Sequence, residues 1–202
     1  MQEEIKVWDI GVRAFHWSLV TFFIIAYISG DEEELIHIYS GYAVLALVIF
    51  RVLWGFIGTK YARFSNFIYP PHTVLQYAKS LFTSKPLHYL GHNPLGGWMI
   101  ILLLISLIAV SWSGLEVYGA EGHGPLASTS IIAPAMADSD NEHGPGKSRQ
   151  EELWEDVHET FANITLFLII VHLCGVISAG FMHQENLIRS MITGYKKHID
   201  SP

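Results

Sequence analysis

The chain is poor in charge and almost without cysteine. Of 202 residues only 15% are charged, against about 25% for an ordinary soluble domain. The single cysteine, Cys174, excludes a disulfide framework within the chain. No Cys-x-x-Cys-His motif is present, which excludes covalent attachment of a c-type haem. No internal repeat is visible, and the segment 51–95 contains no Asp or Glu at all. After the first apolar run comes DEEE rather than a small-residue cleavage site, which argues against a signal peptide. The composition gives no sign of a nucleic-acid partner.

Half the residues are apolar, and they fall in long runs. A membrane-crossing helix needs about 20 mainly apolar residues. Four stretches qualify, at about 13–30, 36–58, 96–115 and 158–182. The expected fold is all-α: an integral membrane four-helix bundle, one domain over 1–202, with membrane lipid as its surroundings. Between the second and third runs, residues 71–85 predict a short amphipathic helix after Pro70–Pro71 and before Pro86, with Val74, Leu75, Ala78, Leu81 and Phe82 as its apolar stripe. Such a helix lies along a membrane surface or packs under the bundle. The connection 116–157 is acidic, and its Gly-, Ser-, Ala- and Pro-rich middle predicts a flexible loop. Its end, EELWEDVHE, predicts an early start for the fourth helix.

Lys and Arg collect on the cytoplasmic side of membrane proteins. Ten of the twelve basic residues lie in 1–15, in 51–95 or after 182. The other side carries Asp31, Glu32, Glu33 and Glu34 and the acidic connection, whose only basic residues are Lys147 and Arg149. The expectation is a multi-pass protein of a bacterial inner membrane with both termini cytoplasmic.

Four histidines fall within or at the ends of these runs: His16, His37, His158 and His172. A polar side chain inside a membrane is costly, so each is a candidate functional residue. With four crossings, His16 and His172 share the inner leaflet, and His37 and His158 the outer. The fourteen residues from His158 to His172 span about 21 Å and nearly four whole turns, so both rings leave one face of one helix. The depth argument pairs His37 with His158 and His16 with His172. Each pair suits one iron clamped through a porphyrin, that is, two non-covalent haem b groups with bis-histidine ligation. Two filled axial positions favour electron transfer over oxygen chemistry. Gly41, Ala162 and Gly175 lie about one turn beyond His37, His158 and His172 and leave room for a flat ring. A membrane histidine also serves simply as a hydrogen-bonded packing group, and a zinc path is a chemical competitor. Zinc wants three or four ligands converging on one ion, whereas these come in separated twos.

Arg51, near the inner end of the second run, either pairs with a haem propionate or snorkels to headgroups. Trp17 and Trp54 read as interfacial anchors. His88 and His92 flank the third run and are candidates for a quinone or partner site. The remaining histidines read as surface residues. No catalytic residue is identified.

In order and spacing, VWDIGVRAFHW, HIYSGY, RVLWGFIG, NPLGGWM, LWEDVHETFANITLFLIIVH and ENLIRSMITGYKK make nearly the whole chain resemble the prokaryotic cytochrome b561 / nickel-iron hydrogenase b-type cytochrome family. The resemblance implies a four-helix membrane protein with two b haems, ligands on helices 1, 2 and 4 at His16, His37, His158 and His172, and none on helix 3. It also implies work as a membrane electron carrier. The expected route runs between the quinone pool and a periplasmic redox partner such as a c-type cytochrome. A haem-bearing anchor subunit of a hydrogenase or formate dehydrogenase type of oxidoreductase is the alternative. A superoxide:quinone oxidoreductase is a further one, disfavoured by the acidic outer face. Whether the chain is an enzyme itself or a subunit of one stays open.

Overall fold

The computed structural model of the chain describes residues 4–30, 34–83, 87–127 and 149–197. The acidic turn at Asp31, Glu32 and Glu33, Pro86, most of the acidic connection with His143 and Lys147, and His198 lie outside the described residues. Four helices are long and apolar enough to cross a membrane: α1 (Ile10–Ser29), α2 (Glu34–Ile57), α4 (Pro94–Ala120) and α5 (Arg149–His183). A short helix, α3 (Pro71–Ser80), precedes α4, and α6 (Leu187–Thr193) follows α5. A 3-10 turn at Phe64–Asn66 and two three-residue strands, β1 (Glu4–Lys6) and β2 (Tyr195–Lys197), complete the described elements.

Local chemistry sets the helix starts. Asp9 caps α1 by accepting from the Val12 amide at 2.9 Å. Asn93 caps α4 by accepting from the Gly96 amide at 2.7 Å, with Pro94 in the first turn. A short polar side chain at this position satisfies a backbone donor that the helix itself leaves free. Pro71 opens α3 in the same way that Pro94 opens α4, since its missing N–H is no loss in a first turn. The helix is shorter than the sequence stripe implies. Leu81 and Phe82 fall beyond its end, Phe82 and Leu75 face outward, and the buried side chain is Tyr77, which packs against Tyr89.

The packing is uneven. α1 lies along α2, α5 lies along α4, and α2 touches α4, but α5 has no comparable packing against α1 or α2 among the described residues. A cleft therefore runs between α5 and the α1–α2 pair. Val44 and Val48 of α2 and Leu107 of α4 form the mid-bundle core, with Leu19 and Phe23 of α1 against them. Thr165 is the one buried residue of α5. Large apolar side chains such as Ile28, Ile57, Phe167 and Phe181 stand exposed, as expected where lipid, not water, is the solvent. At 1.5 Å per residue α5 is about 52 Å long, well beyond the roughly 30 Å hydrocarbon core. Its acidic first turns, with Glu151 and Glu152, begin nine residues before the run read from sequence.

One end of the bundle is closed by a clasp. β1 pairs antiparallel with β2, Ile5 opposite Lys196. The Val7 and Trp8 amides then donate to the Gly194 carbonyl at 2.9 and 3.0 Å, and Trp8 Nε1 donates to Ser190 Oγ at 3.3 Å. Gly194 ends α6 at φ +90°, and a Cβ there would meet the Trp8 carbonyl at 2.7 Å, so a side chain is excluded both by conformation and by space. Val7, Trp8, Val12 and Ala62 make a small core beneath the clasp. The start of α1 and the tail after α5 thus meet at the same end.

Asp9 ties this cap together. Beyond its helix cap, it accepts from Thr59 Oγ1 at 2.5 Å and from Trp54 Nε1 at 3.3 Å. Trp54 is therefore bound into the cap network. Burial alone would raise the Asp9 pKa, but the hydrogen bonds from Thr59, the Val12 amide and Trp54 outweigh it and hold the carboxyl below its ordinary value of 3.8. A carboxyl lowered in the fold adds stability above the unfolded pKa and loses it as pH falls through the folded one. Asp9→Ala is expected to cost about 1–2 kcal/mol in detergent-solubilised thermal unfolding, and to remove the part of the acid sensitivity that sets in below pH 3.8. An unchanged melting temperature would show that the cap is held by its apolar core alone.

Candidate functional site

Two imidazoles meet across the cleft at the end away from the clasp. The rings of His37, one turn into α2, and His158, on α5, have centroids 5.8 Å apart and stand at 86° to each other. Two ring nitrogens each about 2.0 Å from one shared ion would put the centroids about 6 Å apart. The separation suits a single ion between them.

The far side of each ring is already engaged. His37 Nδ1 lies 2.9 Å from the Ala26 carbonyl of α1. His158 Nδ1 lies 3.0 Å from the Val110 carbonyl and 3.1 Å from Ser113 Oγ, both on α4. A carbonyl can only accept, so it fixes the proton on Nδ1 and leaves Nε2 with a free lone pair. Metal-ligating histidines are oriented by this same outer hydrogen bond. Gly114 gives the His158 ring its place, because a Cβ there would lie 3.0 Å from His158 Cε1.

The second pair lies nearer the clasp. His16 of α1 and His172 of α5 share this level, and the charge of His172 is felt at His16. His16 Nδ1 is buried without a hydrogen-bond partner. Trp17 stands edge-on to the His16 ring at 5.2 Å, and its Nε1 donates to the Met191 carbonyl at 3.4 Å. A Cβ added at Gly41 or Gly175 would meet nothing within 4 Å, so open space lies beside both helix faces that carry the histidines. An apolar cavity of about 220 Å³ opens in the same cleft, lined by Phe23, Ile24, Tyr27 and Ile28 of α1 and Leu166 and Ile169 of α5.

Among the described residues no group of three or more His, Cys, Asp or Glu side chains converges as a metal site. The donor set is therefore twofold, and two imidazoles alone do not complete the shell of a bare ion. They do suit an iron whose remaining positions are filled by a flat macrocycle, and the open glycine faces and apolar cleft suit the macrocycle's edges. The residues fit haem.

Arg51 of α2 is only 3% exposed and does not reach outward to headgroups. Its Cζ lies 5.2 Å from the Phe64 ring centre and 5.7 Å from that of Phe67, and its Nη1 is buried without a partner. A buried guanidinium lacking a bonded carboxylate is open to an anionic group brought by a ligand. Beside it, His92 packs between Trp8 and Phe67, at 4.5 and 4.8 Å between centroids. Burial first, then the charges of Arg51, Lys196 and His172, push the His92 pKa down to about 3. His88 stands apart from it. Its Nε2 lies 2.8 Å from Glu185 Oε1, and Glu185 also pairs with Lys196 at 3.0 Å. At the other end, burial and the Glu34, Glu155 and Glu151 carboxylates push the Glu121 carboxyl above its ordinary range.

Helix α4 contributes more than the sequence suggests. It has no histidine, yet Val110, Ser113 and Gly114 together seat His158. The only trace of this in sequence is the small-residue step Ser113–Gly114 within an apolar run.

A family model described as prokaryotic cytochrome b561 matches residues 7–194. The chain is 23% identical to a probable Ni/Fe-hydrogenase B-type cytochrome subunit of Rhizobium leguminosarum bv. viciae, over 96% of this chain and 89% of the relative. It is 23% identical to the protein so named in Azotobacter vinelandii, over 98% and 91%. The corresponding protein of Cupriavidus necator is 22% identical over 96% and 87%. No solved structure matches the chain.

Gly114→Val is expected to push the His158 ring off both α4 acceptors and to cut cofactor binding at that level by about 10–100-fold, the usual cost of losing an outer hydrogen bond to a ligand. Ser113→Ala keeps the Val110 carbonyl and should cost less. Reconstitution titrations followed by absorbance would separate the two. Equal, undiminished binding in both would show that the α4 seat does not orient the ring.

Proposed function

The chain belongs to the prokaryotic cytochrome b561 family, and from that premise we propose that it moves single electrons across the membrane on two haem b groups, one held by His37 and His158 and the other by His16 and His172. Haem-based membrane electron transfer is common to the family and its b-type cytochrome relatives. The observation that carries the two-centre reading is the His37–His158 pair, 5.8 Å apart, with both Nδ1 atoms turned to carbonyls. When bound, haem supplies a one-electron iron couple at each level.

The chain's own residues do the rest. The His37 and His158 imidazoles present Nε2 and are each held in rotation by an outer hydrogen bond to a carbonyl. With two histidines at each level, a bound haem would be held for electron transfer rather than for O₂ binding. Gly41 and Gly175 leave room for a flat ring against α2 and α5. Arg51 offers a buried cation to a propionate. Lipid and the apolar side chains of α1 and α5 exclude water, so both centres work in a medium of low polarity.

The reading takes both termini as cytoplasmic, which the ten basic residues of segments 1–15, 51–95 and the tail after 182 support by their place in the sequence. The His16/His172 level is then the inner one, where quinone would exchange electrons. The His37/His158 level faces a periplasmic redox partner such as a c-type cytochrome. An electron moving outward is helped by an inside-negative potential, by about 2.3 kcal/mol per 100 mV over the full membrane. The acidic cluster of Glu34, Glu121, Glu151 and Glu155 would draw a partner with a basic patch. A second reading, a haem-bearing anchor subunit of a larger oxidoreductase, is favoured by the names of the relatives, which are hydrogenase subunits. Co-purification in mild detergent tells a free-standing carrier from a subunit.

Reduced-minus-oxidised spectra with haem quantification test the assignment. Two b haems per chain are expected, with His158→Ala losing the outer and His172→Ala the inner. Full haem content in both variants would overturn the ligand pairs. Electron transfer to a basic partner should slow as salt rises from low to high, and a salt-independent rate would remove the docking role of the acidic end.

A further inference from the structure

The inner end holds more cationic and donor capacity than the described residues use. Arg13 Nε, Arg51 Nη1 and His92 Nδ1 are all buried without a hydrogen-bond partner. The first is locally explained, because the Arg13 guanidinium donates through another nitrogen to the Ile192 carbonyl. Arg51 and His92 have no such outlet. They share one aromatic surface, since the Phe67 ring lies 5.7 Å from Arg51 Cζ and 4.8 Å from the His92 ring. Trp8 closes the other side of His92 at 4.5 Å. Met191 packs against the Trp8 core and accepts from Trp17, which stands edge-on to the His16 ring, so this pair of orphans borders the inner histidine level.

The nearby carboxylates are already committed. Glu185 is bonded to Lys196 and His88. Asp9 caps α1 and is bonded to Thr59 and Trp54, although its charge is felt at Arg51. A buried guanidinium needs a hydrogen-bonded counter-charge, and none of these supplies one directly. His92 adds a donor in the same place, and aromatic packing from Trp8 and Phe67 holds its ring still. Such a site takes a carboxylate that arrives with a ligand. Haem b carries two propionates and is the one ligand that the chemistry of His16 and His172 calls for.

We propose that His92 and Arg51 together hold one propionate of the inner haem, His92 donating from Nδ1 and Arg51 from Nη1. The proposal rests on the reading of His16 and His172 as that haem's axial pair. It makes His92 a positioning residue rather than part of a quinone or partner site. Its donor draws charge from the propionate and so favours the reduced iron. Loss of the donor favours the oxidised form.

The test uses the full-length protein in detergent and follows both haem couples in one spectroelectrochemical titration. His92→Phe keeps the ring stack and removes the donor. His92→Asn restores an N–H near the place of Nδ1. His92→Phe is expected to shift the inner couple about tenfold toward the oxidised form, about 59 mV for one electron, and to leave the outer couple where it was. His92→Asn should recover most of that shift. Loss of the inner haem in His92→Phe, regained in His92→Asn, carries the same meaning. An inner couple unmoved in His92→Phe at full haem content overturns the proposal, and so does a variant that changes only the KM for quinol. Failure of the underlying axial pair is read separately, as full haem content in His172→Ala.

Discussion

A histidine ring can serve as a ligand inside a membrane only if something else holds it, because no water is there to satisfy its second nitrogen. For two of the four candidate histidines, His37 and His158, that holding is done by backbone carbonyls of neighbouring helices. Ala26 near the end of α1 receives His37 of α2, and Val110 of α4 receives His158 of α5. Each bond fixes a proton, a ring orientation and a helix–helix register at once. The pairing of α1 with α2 and of α4 with α5 therefore does two things. It buries apolar side chains, and it aims an imidazole into the space that the two pairs leave between them.

That space is the reason the bundle looks underpacked. α5 leans on α4 and barely on the other helices, and Thr165 is its only buried residue. Were the bundle closed by its own side chains, Leu166 and Ile169 would fill against α1 in place of the cavity they share with Phe23 and Tyr27. On the proposed reading, the apolar faces of haem would supply the missing contacts, so that holding haem and completing the core would be one event. Arg51 follows the same logic in electrostatic form, since on the proposed reading a ligand carboxylate would supply the partner that its buried Nη1 lacks.

Much of this is legible in the sequence. Length and hydropathy give four spans to within a few residues, except at α5, where the acidic lead-in is helical from Arg149. The fourteen-residue step between His158 and His172 fixes two levels on one helix face, because helical geometry allows little else. The part played by α4 is not legible. A backbone carbonyl has no sequence signature, and whether Val110 meets His158 depends on the register between two helices with long apolar faces. The clasp is hidden for a similar reason. Three-residue strands reading EIK and YKK carry no alternation long enough to notice, and they pair only because the two ends of the chain are brought together. The side of α3 that packs is set by Tyr77, whose hydroxyl reaches His183 at 3.4 Å. An aliphatic stripe does not report such a polar anchor.

The clasp bears on the order of biosynthesis. β2 at Tyr195–Lys197 follows all four spans in the chain, so the seal over one end of the bundle cannot form while any helix is still being translated. Until then Trp8 has neither Ser190 nor the Gly194 carbonyl to bind, and the His16/His172 level stands open from below. On the proposed reading, a ligand of that level would enter before β2 is made and would be enclosed once Tyr195–Lys197 pairs with Glu4–Lys6.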